Sequence, residues 1–431
     1  MQIYYNPDPA KWGALALRPV INPGLLAKTV NKILGDVQNE GDKAIIRYNR
    51  EFSGVELDDF AVSQAEIDLA VDRIDPKLKA AIESAVKNID AFHRAQIRQE
   101  NKIQTAAGVY CWRKPVAIEN VGFYVPGGSA PLFSTLLMLA VPAKIAGCKQ
   151  IIICSPPNAN GNVAASILYC ARLLGIDKIY KIGGAQAIGA MAYGTATVPA
   201  VYKIFGPGNQ YVTVAKQMVN ITGTAIDMPA GPSEVAIIAD KSASPIFIAA
   251  DLIAQAEHGP DSQTLLLTDH EPFLEQVPAE IEKQIKDLPR AAFVQKSLHH
   301  SKAIHFDNLE AAVDFSNYYA PEHLIVMTRS SDDIISKIIN AGSVFIGDWS
   351  PEAAGDYASG TNHTLPTGGF ARNYSGVSLD SFYKYITFQE LTRQGIKNIG
   401  PLIETMANAE QLAGHARSVM TRLEILDGED R

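Results

Sequence analysis

"QIIICSPPNANGNVAASILYCARLLG", residues 150–175, decides the fold. Ile151–Cys154 is a short, unbroken apolar run. It is too short for a helix and lacks the alternation of a half-exposed strand, so it reads as a strand buried on both faces. A turn with Pro156, Pro157 and Gly161 follows, and residues 163–175 then carry apolar side chains at helical spacing. The same unit recurs as "KIYKIGG" then "AQAIGAMAYG" (178–194) and as "VYKIFGPG" then "NQYVTVAKQMV" (201–219). A repeated strand–loop–helix unit predicts a parallel sheet with helices on both faces.

Working outward, a second series of strand-like runs begins after "DMPAGPSE" (227–234): "EVAIIAD", "QTLLLTD", "AIHFDN", "HLIVMTR" and "SVFIGD". The chain is therefore expected to be α/β, with two lobes. Residues 124–233 form one lobe. Residues 25–123 and 234–377 form a larger, discontinuous one. Residues 25–100 read as helical; Leu78, Ile82, Ala85, Ile89 and Phe92 make one stripe. Residues 1–24 read as an irregular, Pro-containing N-terminal arm, and 378–431 as a helical tail.

Composition bounds the function. The 431 residues are 47% hydrophobic and 19% charged, an ordinary globular balance. A net charge of −8 without a basic block argues against nucleic acid as a partner. The N-terminus lacks the basic and apolar runs of an export signal, and the most apolar stretch is broken by Pro142, Lys144, Gly147 and Lys149, so no membrane span is expected. The four cysteines, Cys111, Cys148, Cys154 and Cys170, have no zinc-type spacing and make no disulfide framework. A reducing, cytoplasmic setting is expected.

In open α/β sheets ligands bind beyond the carboxyl ends of the strands, so the polar loops after strands are where chemistry is expected. "YVPGGSAPLFST" (124–135), "GGAQAIGA" (183–190) and "FGPGNQY" (205–211) are Gly-rich turns leading into helices. Their backbone N–H groups could cradle phosphates, although no G-x-G-x-x-G fingerprint is present and each loop alone also reads as an ordinary turn. Three on successive strand ends suggest a nucleotide. In "AQAEHGPDSQ" (254–263), Gln255 and His258 share a helix face that Gly259-Pro260 ends at once. This is either a capped helix with two solvated groups or half of a metal site. "YYAPEHLIV" (318–326) puts Glu322 and His323 directly before a strand, as a solvated turn or an acid–base pair. "SPEAAGDYASGTNHTLPTGG" (350–369) is either a flexible lid or a loop offering Asp356 as an oxygen ligand. Glu410 and His415 lie five apart, ~140° around an ideal helix, so they meet one ligand only if the helix breaks near Gly414. Cys154 ends a buried strand and reads as a small apolar filler more readily than as a nucleophile.

Taken together and in order, "GFYVPGGSAPLFST", "IGGAQAIGAMAYGT", "GPGNQYV", "DMPAGPSE", "AQAEHGPDSQ", "YAPEHL" and "GDYASGTNHTLPTGG" resemble the histidinol dehydrogenase family over about residues 25–420. The resemblance implies two incomplete Rossmann-like lobes with small terminal segments in an intertwined homodimer with shared active sites. It implies an NAD-linked, four-electron oxidation of L-histidinol through L-histidinaldehyde to L-histidine, the end of histidine biosynthesis. It places one zinc per subunit on Gln255, His258, Asp356 and His415, in a site that would also accept manganese or cobalt. The acid–base pair falls on Glu322 and His323. Substrate contacts fall on Ser233, Gln255, His258, His323, Asp356, Glu410 and His415, and NAD contacts on Tyr124, Gln186 and Asn209. Two other readings use the same residues: a zinc hydrolase in which Glu322 activates water, and a two-lobed binding protein that closes on its ligand. The first leaves the three Gly-rich loops unused, and the second is disfavoured by the lack of an export signal.

Overall fold

A computed structural model describes residues 1–19, 23–57, 59–127 and 131–429. The strands of its two parallel sheets and one antiparallel sheet are, in chain order, β1 (Gln2–Tyr5), β2 (Ile103–Ala106), β3 (Val109–Ala117), β4 (Asn120–Tyr124), β5 (Gln150–Ser155), β6 (Ile179–Lys181), β7 (Lys203–Phe205), β8 (Ala225–Ile226), β9 (Glu234–Ala239), β10 (Gln263–Thr268), β11 (Lys302–His305), β12 (His323–Met327), β13 (Ser343–Ile346) and β14 (Tyr383–Leu391). The chain divides into two compact units, the larger made of Met1–Gln96 and Ile118–Phe382.

Both parallel sheets lie in this larger unit. One has the order β6-β5-β4-β7-β8, the other β1-β11-β10-β9-β12-β13. The opening stretch behaves as its pattern predicts: Ile152, Ile153 and Cys154 are wholly buried at the middle of the first sheet. Helix Ala165–Leu173 then packs Ile167, Leu168 and Cys170 into the same core. The α/β expectation with two parallel sheets therefore holds, and among the described residues no helix is long and apolar enough to cross a membrane.

Three expectations about organisation change. The helices between residues 23 and 94 do not join the lobe of residues 234–377. Val30, Ile33, Leu34 and Ile45 pack with Ile152, Ile182, Ile188 and Val212, while Ile82 and Ile89 pack with Val121, Phe123 and Leu136. Their apolar stripes are needed to cover both faces of the five-stranded sheet, which buries its strands only when helices sit on each side. The N-terminal arm is not irregular. Gln2–Tyr5 adds a parallel edge strand, with Gln2 opposite Lys302 and Tyr5 opposite His305; residues 20–22 lie outside the described residues.

The tail is not wholly helical. Residues Ile97–Ala117 and Tyr383–Arg431 form the second unit. In it β14 pairs antiparallel with β3 from Tyr383↔Ala117 to Leu391↔Val109. Helices Arg393–Ala409 and Ala413–Glu429 follow. The strand signal in "YKYITFQEL" is weak because most of its side chains stay exposed, and its partner lies far back in the sequence.

Candidate active site

The first sheet builds a cavity of about 840 Å³ from backbone and glycine. Tyr124 ends β4, Gly183 and Gly184 follow β6, and Pro207-Gly208-Asn209 follow β7; all line it, with Gln186. Each loop runs into a helix, so the cavity faces helix N-termini. Gly128, Ser129 and Ala130 of the first loop lie outside the described residues. Tyr124 is buried and its Oη accepts from Gly184 N at 3.2 Å. Asn209 caps the helix Gln210–Ile221 through Oδ1, which accepts from the N–H groups of Tyr211 and Val212 at 3.1 Å. Gln186 is buried with its Oε1 unpartnered. Gly206 has φ 120°, and a Cβ there would collide with the Tyr124 carbonyl, so the turn requires glycine.

Beneath this turn lies a buried ion pair, Lys216 with Asp227. The Lys216 ammonium donates to Gly206 O at 2.9 Å, and Asp227 Oδ2 accepts from Gly206 N at 2.8 Å. Asp227 Oδ1 accepts from Met228 N at 2.7 Å. One pair thus fixes the Gly206 turn and the start of the segment that leads to Ser233.

The second sheet is approached from its other end. Glu322 and His323 stand at the start of β12, Ser233 and Glu234 at the start of β9, and the Gln255–His258 helix end just before β10. The expectation that chemistry sits beyond the carboxyl ends is met in the first sheet and overturned in the second. Side chains, not glycines, make this part. Glu322 Oε2 accepts from Glu234 N at 3.0 Å. His323 Nδ1 lies 3.3 Å from Glu234 O and 3.6 Å from Glu322 Oε2. A carbonyl can only accept, so this contact favours the proton on Nδ1. His323 Nε2 is buried without a hydrogen-bond partner, 3.8 Å from Asp356 Oδ1. Burial lowers the imidazole to about 4, so it is neutral at neutral pH with a lone pair to offer. Burial pushes Glu322 well above the usual carboxyl range, with Glu234 and Asp356 adding like charge.

The cation-ligand candidates converge beside this pair. His258 Nε2 is 3.9 Å from Asp356 Oδ2. Asp356 is not on a loop but in the short helix Glu352–Tyr357, where Glu352 lies one turn earlier. His258, Glu352 and Asp356 have ligand atoms within 4.8 Å of one another. With its amide nitrogen turned toward Glu352, Gln255 would donate there, 2.6 Å and 3.1 Å from the two carboxyl oxygens. Glu352 is held well above the usual carboxyl range, first by burial and then by Asp356, Glu322 and Asp251. Such a crowd of carboxylates is stabilised in its ionised form by a divalent cation. Nitrogen and oxygen donors without thiolate fit zinc, or manganese. Glu352 was missed in the sequence, although its spacing of four before Asp356 marks a shared helix face as Gln255 and His258 do. His363 steadies Asp356: its Nδ1 lies 2.9 Å from Asp356 O and its Nε2 lies 3.1 Å from Thr135 Oγ1.

Ser233 and His258 line the same cavity as Tyr124, Gln186 and Asn209. Glu410 and His415 belong to the second unit. Glu410 caps helix Arg393–Ala409 and His415 is the third residue of Ala413–Glu429. The helical break expected near Gly414 falls slightly earlier, at Gln411, whose φ is 60°. Cys154 is wholly buried and burial raises its thiol, which fits a core filler.

Known proteins resemble this chain along almost its whole length. The histidinol dehydrogenase family model matches residues 18–423. A histidinol dehydrogenase of Bacteroides fragilis is 54% identical over 424 residues, covering 98% of this chain and 99% of the relative. One from Aliivibrio fischeri is 50% identical over 412 residues, covering 95% and 93%. The crystal structure of histidinol dehydrogenase from Elizabethkingia anophelis superimposes with a TM-score of 0.96 at 53% identity, covering 99% of each chain. The chain belongs to the histidinol dehydrogenase family.

Proposed function

We propose that the protein oxidises L-histidinol to L-histidine in two NAD-linked steps, as a cytoplasmic homodimer in histidine biosynthesis. The observation that carries this reading is the shared cavity, which joins the three Gly-rich loops to Ser233 and His258. Bound in those loops, NAD⁺ would supply the hydride acceptor for each step. Gln255, His258 and Asp356, with His415 and Glu410 from the partner subunit, would hold zinc and the substrate's polar groups. When bound, the metal supplies a Lewis-acid anchor for substrate nitrogens.

The chain's own groups divide the proton work. His323 takes the hydroxyl proton of the alcohol at Nε2 as the carbinol carbon loses hydride. Glu322 then assists the addition of water to the aldehyde by taking a proton from that water. His323 takes the hydrate's hydroxyl proton as the second hydride leaves. Each step releases a proton with its hydride, and the added water supplies the second carboxylate oxygen. Burial excludes other water from the pair and strengthens its hydrogen bonds. Glu352 would order Gln255 by accepting from its amide. The hydrolase reading leaves the cavity's Gly-rich end without work.

Incubation with zinc, NAD⁺ and L-histidinol should produce NADH absorbance and L-histidine. Chelation should abolish both, and zinc or manganese should restore them. Silence with metal bound, or product formation without NADH, would remove the reading.

A further inference from the structure

We propose that Glu234 and Arg18 are positioning residues for the Glu322–His323 pair. The inference rests on the assignment of those two residues as the acid–base pair. Glu234 touches neither the cavity nor a ligand candidate with its side chain. Its backbone does the contact: N–H to Glu322 Oε2 at 3.0 Å, carbonyl facing His323 Nδ1 at 3.3 Å. One peptide segment therefore orients the carboxyl of Glu322 and selects the tautomer of His323 that leaves Nε2 as the proton acceptor.

The Glu234 side chain is anchored from four directions. Arg18 Nε donates to Oε2 at 2.8 Å and one terminal nitrogen donates to Oε1 at 3.1 Å, a two-point fork. Tyr319 Oη shares its one proton between Oε2 at 3.0 Å and Gln263 Oε1 at 2.8 Å, and Gly368 N donates to Oε1 at 3.0 Å. Arg18 itself lies over the Tyr319 ring, 3.5 Å from its centroid, and donates to Tyr319 O at 2.7 Å. Glu234 is 1% exposed, so these bonds form out of bulk water, where a two-point charged fork is strong and directional. The anchor ties three distant segments to one carboxylate. They are the arm carrying Arg18, the turn just before Glu322, and the loop after Asp356. A loop staple would need only the first of these. Setting the main chain of residue 234 against Glu322 and His323 uses all three.

The arrangement predicts a particular kinetic signature. Displacement of catalytic groups by about 1 Å can cost on the order of 100-fold in rate. A loosened segment 234 should therefore lower kcat without touching the Gly-rich loops, and disturb substrate binding only through the adjacent Ser233 and His323. Removing either charge alone leaves the other buried and unpaired, which threatens folding. The test is the neutral double variant Arg18→Met/Glu234→Gln, with Tyr319→Phe as a milder second variant. Each is compared with wild type for kcat, both KM values, bound zinc and Tm. The double variant should lose about 10- to 100-fold in kcat per folded molecule, with the KM for NAD⁺ within about twofold and the KM for L-histidinol changed less than kcat. Tyr319→Phe should lose about fivefold in kcat, as one of several anchors. A purely structural role would lower Tm and leave kcat per folded molecule at the wild-type value; that result overturns the proposal. If the double variant does not fold, an unchanged kcat in Tyr319→Phe overturns it alone. An inactive wild type overturns the proposed function and this inference together. An active wild type with unaffected variants overturns only this one.

Discussion

The two parallel sheets of the larger unit present opposite ends to one site. The β4–β8 sheet offers its carboxyl ends, and helices Gly184–Tyr193 and Gln210–Ile221 start there. The β9–β13 sheet offers its amino ends, and helix Pro245–Ala256 finishes there, at Gln255 and His258. Helix starts carry about half a positive charge and helix ends about half a negative one. The first side thus suits the phosphates of a dinucleotide and the second a cation. The difference also appears in the residues. Glycine and backbone make the first side, whereas buried Glu322, His323, Glu352 and Gln255 make the second. Backbone binding tolerates change, and crowded buried charge does not.

That contrast is tested first by His323→Asn, which should lower kcat for both alcohol and aldehyde oxidation by about 1,000-fold or more while NAD⁺ affinity holds. Retained activity on either substrate in steady-state assays would break the assignment of one base to both steps. Next is Asp227→Asn, where the glycine-built side depends on a buried ion pair. Leaving Lys216 unpaired should cost about 3–5 kcal/mol in denaturant unfolding. A loss under ~1 kcal/mol would mean that the pair is dispensable.

Asp251, buried on the helix that carries Gln255, is raised by burial from 3.8 to about 7. Between about pH 4 and pH 7 the native state keeps this proton and the unfolded chain does not, so stability falls as pH rises through that window. The displacement corresponds to at most roughly 4 kcal/mol. Asp251→Asn should lack the decline, and parallel stability profiles for wild type and variant would show that Asp251 titrates normally. The smallest effect belongs to the tolerant side: Asn209→Ala should cost about 1 kcal/mol in capping and raise the KM for NAD⁺ severalfold at unchanged kcat. A collapse of kcat there would erase the contrast.

Much of this was legible in the residues. Ile151–Cys154 reads as a buried strand because periodicity is local, and local spacing likewise puts Gln255 and His258 on one helix face, as solvated groups or as ligands. Glu352 carried an equally local signal, four residues before Asp356, hidden because the surrounding glycines suggested a loop. What periodicity could not show was which end of each sheet faces the site. Reversing that end leaves every local pattern unchanged. Nor could it show that Gln2–Tyr5 pairs with Lys302–His305, that helices 23–94 cover the five-stranded sheet, or that Arg18 meets Glu234 across 216 positions. Long-range pairing leaves no mark in a short window.

The pairing of Gln2 with Lys302 has a consequence in time. The strand Gln2–Tyr5 waits for a partner made 300 residues later, a delay of roughly 15–60 s at about 5–20 residues per second. Closing so long a loop costs about 5 kcal/mol in chain entropy before the strand gains a neighbour. The β4–β8 lobe draws its strands and covering helices from residues 23–226, so its whole sequence has emerged while the strands of the acid–base lobe are still being made. The nascent chain can therefore shape the Gly-rich side well before it can assemble the surroundings of His323, and the second sheet is complete only when the strand Gln2–Tyr5 finally docks.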